Sequence, residues 1–158
     1  MHPPLTRKDA LAELERYGIT GKLVYLIDIV PLIEMIWADG AIQDVERELL
    51  DKFLTQHVAN INALAGMELI EMASARAFAE KLLDERPDPK VMTVLHRLIP
   101  IVRMSSSDTE RNAHTRAEIL RWCLDIGASC VAEYPYGDHD RFSDAEKACF
   151  EEIFSALG

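Results

Sequence analysis

The chain has 158 residues, 49% hydrophobic and 28% charged, a balance typical of a globular domain with a sizeable core rather than of a disordered protein. Its formal net charge of −10, without any long block of Lys and Arg, argues against nucleic acid and anionic membranes as partners. Seven glycines and seven prolines are too few for the many turns of a large β fold.

Apolar residues recur at helical spacing almost throughout, and no alternating run predicts a strand. The predicted helices cover residues 6–17, 21–37, 45–64, 67–84, 90–104, 107–133 and 143–157. Capping-box sequences, Ser107-Asp108-Thr109-Glu110 and Ser143-Asp144-Ala145-Glu146, open the last two. Without a linker or a shift in composition between them, these segments predict an all-α, single-domain bundle of about seven helices over residues 1–158.

The second predicted helix is the most apolar, yet it contains two carboxylates, Asp28 and Glu34, with Pro31 between them. A buried carboxylate is costly unless it has a base, a hydrogen-bond donor or a metal ion beside it. Core salt bridges are therefore the favoured interpretation, with these candidate arginines: Arg103, Arg116 and Arg121. Pro31 predicts a kink in the middle of this helix.

The compartment is predicted from the cysteines and from the lack of hydrophobic targeting segments. Cys123, Cys130 and Cys149 lie on apolar helical faces without a C-x-x-C pair, which favours buried thiols in a reducing compartment. The N-terminus lacks the apolar region of a signal peptide. The longest apolar stretch, residues 23–38, contains two carboxylates that would be costly in a bilayer. We therefore expect a cytoplasmic protein without membrane insertion.

Two acidic segments, one hundred residues apart in the sequence, each precede an amphipathic helix. The first reads Asp39-Gly40-Ala41-Ile42-Gln43-Asp44-Val45-Glu46-Arg47, and the second reads Asp138-His139-Asp140-Arg141-Phe142-Ser143-Asp144-Ala145-Glu146-Lys147. Asp44 aligns with Asp144, and Glu46 aligns with Glu146. The alignment predicts two pseudo-symmetric helix–acidic turn–helix units within the bundle.

Oxygen-rich turns of this kind suit a divalent cation, which prefers carboxylate and carbonyl ligands. Two ligand sets are predicted, one for each turn: Glu34, Asp39 and Glu46, and then Asp138, Asp140 and Glu146. The residues do not distinguish Ca²⁺, Mg²⁺, Mn²⁺ and Zn²⁺, and neither turn has the ligand spacing of an EF-hand. The alternative is that Glu46 and Glu146 only cap their helices near the third position.

Enzymatic chemistry has little support in the sequence. There is no P-loop, G-x-G-x-x-G, G-x-S-x-G or H-E-x-x-H motif, and no Glu-x-x-His pair of the di-iron bundles. His57 and His96 lie on apolar stripes and are predicted to be hydrogen-bonded core residues. We therefore predict neither an enzymatic activity nor an organic cofactor; a metal-dependent hydrolase would require both acidic clusters to face one cleft.

The apolar helix, followed by Ala38-Asp39-Gly40-Ala41-Ile42-x-x-x-Glu46 and an amphipathic helix, resembles the TerB-like family, named for bacterial tellurite resistance. The second acidic segment is similar to that family's second acidic turn, with His139-Asp140 in place of an Asp-Gly step. The resemblance implies an all-helical fold, a cytoplasmic stress-linked role, acidic residues proposed to bind metal, and no catalytic activity.

Two further expectations concern partners and anions. An alternative function is a metal-free protein-interaction module that binds basic protein surfaces; the oligomeric state is open. Tellurite is an oxyanion, and a chain of charge −10 without a basic pocket is a poor direct binder of it. Any resistance role is therefore expected to be indirect.

Overall fold

The computed structural model describes residues 6–38, 40, 42–129 and 144–158. Seven α-helices form in these ranges: α1 (Arg7–Arg16), α2 (Val30–Trp37), α3 (Asp44–Ala65), α4 (Met72–Asp84), α5 (Pro89–Arg103), α6 (Thr109–Ser129) and α7 (Asp144–Leu157). A 3-10 helix, Gly21–Ile29, precedes α2. No strand occurs in the described ranges, so the prediction of an all-α bundle of about seven helices is confirmed.

Local signals in the sequence set the ends of several helices. At the start of α1, the Thr6 hydroxyl accepts the Asp9 N–H at 3.1 Å and the Asp9 carboxylate accepts the Thr6 N–H at 3.4 Å, which is a capping box. At the end of α3, Gly66 has a φ of 69°, and Met67 N–H returns to the Asn62 carbonyl at 3.2 Å. Glycine suits this left-handed position because it has no Cβ.

The predicted continuous helix over residues 21–37 is wrong. The chain instead forms the 3-10 helix over Gly21–Ile29 and turns into an α-helix only at Val30. Pro31 explains the change, because its ring nitrogen has no hydrogen to donate and its ring would clash with an α-helical carbonyl four residues earlier. Pro31 therefore lies at the start of α2, where no donor is needed, and not at a mid-helix kink.

The sixth predicted helix also differs at its first residues. Asp108, and not Ser107, caps α6, because its carboxylate accepts the Arg111 N–H at 3.1 Å. The Asp108 N–H in turn donates to the Ser106 hydroxyl at 3.0 Å. The predicted extension of this helix to residue 133 lies outside the described residues, as does the predicted cap at Ser143.

The short helix α2 lies at the centre of the bundle. Six of its eight residues are buried, and it packs against the 3-10 helix and against α3, α4, α5, α6 and α7. A helix that is apolar on all sides is stable only when other elements cover all of its faces. Consequently Glu34, the acidic residue of α2, is partly buried where α5 and α7 meet α2.

No helix in the described ranges is both long enough and apolar enough to cross a bilayer.

Candidate metal centre

Asp28, the first carboxylate of the apolar segment, forms the salt bridge that the sequence favoured. Arg103 Nε donates to Asp28 Oδ1 at 3.0 Å, and an Arg103 terminal nitrogen donates to Oδ2 at 3.3 Å. His57 Nε2 lies 3.5 Å from the same carboxylate and 2.7 Å from the Tyr25 carbonyl. Asp28 is thus held by a bidentate pair, and His57 is confirmed as a hydrogen-bonded core residue.

Glu46, predicted as a ligand of the first acidic turn, lies in the first turn of α3 and is only 1% exposed. Its Oε1 accepts the Gln43 N–H at 2.9 Å, which is the backbone half of a capping box. This hydrogen bond supports the alternative reading of Glu46 as a helix cap. Asp39, the turn residue of the same predicted set, lies outside the described residues.

Of the second predicted set, Asp138 and Asp140 lie outside the described residues. Glu146 is described and occupies the first turn of α7, where it is 2% exposed. It therefore matches Glu46 in both helix position and burial, as the alignment of the two segments predicts. Among the described side chains, neither Glu46 nor Glu146 belongs to a group of three potential metal ligands.

Glu34, in contrast, belongs to a cluster with His96 of α5 and Glu152 of α7. His96 Nδ1 lies 2.9 Å from Glu152 Oε2 and is hydrogen-bonded to it. On the other side of the ring, His96 Nε2 lies 3.1 Å from Glu34 Oε2. One ligand atom from each of the three side chains lies within 4.8 Å of the others. The cluster is partly open to solvent, because the Glu34 side chain is 23% exposed while that of His96 is fully buried.

Helix packing explains why these residues meet. The buried stripe of α5 includes Leu95, Ile99 and Val102, and His96 lies beside it, facing α2 and α7. On α7, Glu152 directly precedes the buried Ile153 and is half-exposed at the edge of the interface. Three helices, α2, α5 and α7, therefore meet at one polar point within an otherwise apolar junction.

The electrostatics of the cluster disfavour two charged carboxylates. Burial and the charge of Glu152 raise the pKa of Glu34 to about 7, although the Arg86 guanidinium acts in the opposite direction. Burial lowers the pKa of His96, while the charge of Glu152 and its hydrogen bond act to raise it. Both shifts favour the uncharged forms of these two side chains.

The hydrogen bond to Glu152 determines which nitrogen of a neutral His96 carries hydrogen. An Nδ1–H that donates to Glu152 leaves Nε2 with a free lone pair. That lone pair lies 3.1 Å from Glu34 Oε2, yet neither atom has a hydrogen-bond partner of acceptable geometry among the described residues. Two atoms with lone pairs at this distance repel each other unless a proton or a cation lies between them.

The charge of the cluster acts on two cysteines. Burial, followed by the charges of Glu34 and Glu152, raises the pKa of the Cys149 thiol above its ordinary value. Burial, Cys149 and Glu34 also raise the pKa of the fully buried Cys123. Both thiols are therefore protonated near neutral pH in the metal-free protein. Cys130 lies outside the described residues.

Sequence reasoning identified Glu34 but missed its partners. The apolar stripe predicts His96 as a core residue, which its complete burial confirms, but it does not indicate that the second ring nitrogen faces a carboxylate. Glu152 carries no motif, and its only sequence signal is a carboxylate next to the apolar stripe of α7. The cluster joins positions 34, 96 and 152, and spacing along one helix could not reveal it.

Comparisons of this chain with protein-family models, with curated proteins and with solved structures gave no match.

Proposed function

We propose that this protein is a non-catalytic helical domain that binds one divalent transition-metal ion between Glu34 and His96. The observation that carries the proposal is the 3.1 Å approach of Glu34 Oε2 to His96 Nε2, two buried atoms that lack a satisfactory hydrogen bond within the described part of the chain. A cation would satisfy both lone pairs and remove the cost of a buried negative charge beside Glu152.

The ligand chemistry favours Zn²⁺ or a similar ion over Ca²⁺ or Mg²⁺. Imidazole suits first-row transition metals, whereas the hard cations prefer oxygen ligands alone. Two ligands bound at about 2.0–2.2 Å to a tetrahedral ion lie about 3.3–3.6 Å apart. The observed separation of 3.1 Å therefore needs to widen by only a few tenths of an ångström.

Glu152 would hold the imidazole rather than the ion. Its hydrogen bond to Nδ1 at 2.9 Å fixes the ring and leaves Nε2 free for the metal. Water reaching the partly exposed Glu34 would complete the coordination.

This proposal keeps Glu34 from the first predicted ligand set and replaces the acidic-turn residues around it. A site that uses Asp39 and Glu46, or Asp138, Asp140 and Glu146, stays a prediction. The cytoplasmic, stress-linked role of a TerB-like domain stays a prediction in the same way, because it depends on the sequence resemblance.

Thermal unfolding of EDTA-treated protein tests the proposal, with Zn²⁺, Mn²⁺, Ca²⁺ and Mg²⁺ added separately. An ion at about 100 times its Kd adds about 2.7 kcal/mol, which is a shift of about 5–10 °C for a domain of this size. Zn²⁺ should give the largest shift, and Glu34→Gln should abolish it. Glu151→Gln is the matched control, because Glu151 is an exposed neighbour of Glu152 on α7.

Three other outcomes would contradict this site. A Zn²⁺ shift retained in Glu34→Gln would place the ion elsewhere. A shift lost in the Asp39→Ala/Glu46→Ala double variant but kept in Glu34→Gln would favour the first acidic turn. No shift with any ion would favour the second candidate, a protein-interaction module, in which the hydrogen bond from Gln43 N–H to Glu46 is purely a helix cap.

A further inference from the structure

A cavity of about 610 Å³, separate from the Glu34, His96 and Glu152 cluster, lies between α3, α6 and the connection from α5 to α6. From α3 it is lined by Gln56, His57 and Asn60, and from α6 by Arg111, Asn112 and Thr115. These positions recur at helical spacing on each helix, so two polar helix faces oppose each other across the cavity. Neither Glu34 nor His96 nor Glu152 lines it.

The charges around this cavity do not cancel. Its two lining carboxylates are already paired: Asp28 with Arg103, and Glu118 with Arg121 at 2.9 Å. The other two lining arginines, Arg7 and Arg111, have no carboxylate within 4.0 Å among the described residues. As far as the structure describes the chain, the cavity thus carries two guanidinium groups without a carboxylate partner, although the formal net charge of the chain is −10.

Three of the polar side chains at this cavity, Arg7, His57 and Asn112, are held in place by the fold. Arg7 donates from one terminal nitrogen to the Val102 carbonyl at 2.8 Å, which leaves further N–H groups of its guanidinium for a ligand. Asn112 accepts the Ser106 N–H at 3.2 Å and donates to the Ser106 carbonyl at 2.8 Å, so it fixes the connection between α5 and α6. His57 is more than nine-tenths buried at the cavity wall.

We propose that this cavity binds a small polar organic anion that carries at least two carboxylate or phosphate oxygens. Guanidinium groups bind such oxygens in pairs of parallel hydrogen bonds, and amide and hydroxyl side chains supply the remaining donors. The volume lies within the usual range for small-molecule sites. The sequence does not indicate this cavity, because Arg7 and Arg111 are distant in the chain and neither lies in a long basic block.

Isothermal titration of the full chain with citrate, inorganic phosphate and 3-phosphoglycerate as separate probes tests the proposal. At least one probe should bind with a Kd no weaker than millimolar, and Arg7→Ala/Arg111→Ala should raise that Kd at least tenfold. The control Arg16→Ala/Lys52→Ala also removes two positive charges, but from exposed positions outside the cavity. It should leave the Kd nearly unchanged.

A second variant keeps the test decisive if the double arginine variant does not fold. Asn60→Glu introduces a carboxylate at an exposed position of the α3 wall and should weaken binding in the same way. The proposal is overturned if none of the three probes binds at millimolar concentration. It is also overturned if the control variant weakens binding as much as the cavity variants, because binding would then report only the overall charge.

Discussion

At the residue scale, the two carboxylates of the apolar segment are stabilised in different ways. Asp28 has Arg103 and His57 as partners and is 2% exposed, so its charge is compensated within the protein. Glu34 has a neutral or weakly basic imidazole on one side and the charge of Glu152 nearby. The first arrangement is structural, whereas the second becomes favourable only with a proton or a cation present.

Glu34→Gln should stabilise the metal-free protein at about pH 8.5 by roughly 1–3 kcal/mol, and it should have little effect near pH 5. Burial raises the pKa of Glu34 from 4.5 to about 7, so the folded state binds the proton more tightly than the unfolded state does. Stability contributed by this group is therefore lost as the pH rises through about 7. Urea unfolding in EDTA at both pH values measures the difference, and an equal effect at the two values would contradict the assignment.

Asp28→Asn should destabilise the protein by about 3–5 kcal/mol, because it leaves the partly buried Arg103 charge without its carboxylate. Asp51→Asn is the matched control: Asp51 forms an exposed pair with Arg76 at 3.1 Å, and the change should cost less than about 1 kcal/mol. Urea unfolding of both variants gives the comparison. Equal losses would show that the Asp28–Arg103 pair contributes no more than a surface pair.

At the element scale, an acidic residue near the start of a helix can be either a helix cap or a metal ligand, and the sequence alone does not distinguish the two roles. The motif around Glu46 fits both roles. In the structure, the Glu46 carboxylate accepts the Gln43 N–H and so satisfies a backbone donor that the helix leaves unpaired. Pro31 similarly fixes where α2 begins, and this start decides which residues of the segment face α5 and α7. Helix ends thus determine the register at which Glu34 meets His96.

Glu46→Ala should cost about 1–2 kcal/mol through loss of the cap, while leaving the Zn²⁺-induced shift intact. Glu46→Gln should cost less, because its side-chain oxygen can still accept the Gln43 N–H. Thermal unfolding with and without Zn²⁺ separates the two roles. A Zn²⁺ shift that disappears in both variants would make Glu46 a metal ligand and not a cap.

At the scale of the whole molecule, the central position of α2 joins stability to the proposed site. Ile33 of α2 is fully buried and lies next to Glu34, at the junction that five other helices surround. The packing of α2 at the centre of the core also places the Glu34 carboxylate where water reaches it only partly. The bundle therefore creates the site by enclosing a polar side chain within its most apolar helix.

Ile33→Ala should destabilise the protein by about 2–5 kcal/mol, because a cavity opens at the centre of the bundle. Leu64→Ala is the control, since Leu64 is 70% exposed and its truncation should change stability by less than about 0.5 kcal/mol. Urea unfolding measures both variants. Comparable losses would mean that α2 is not the central helix of the core.

The sequence by itself determined the helical fold, most helix limits and the position of one important carboxylate. Helical periodicity, capping residues and glycine stops are local, so they can be read along the chain without knowing which helices touch. The same reasoning singled out Asp28 and Glu34 and left Arg103 as one of three candidate partners, because a carboxylate in an apolar helix must have a partner.

Only the tertiary structure decided which residues gather into sites. Glu34, His96 and Glu152 form one cluster although they are distant in the sequence. His96 lies 62 residues after Glu34, and Glu152 lies 56 residues after His96. Arg7 and Arg111 likewise meet at one cavity from opposite parts of the sequence. The physical reason is that helix packing depends on the sum of many weak apolar contacts between distant segments, and a local pattern does not contain that sum.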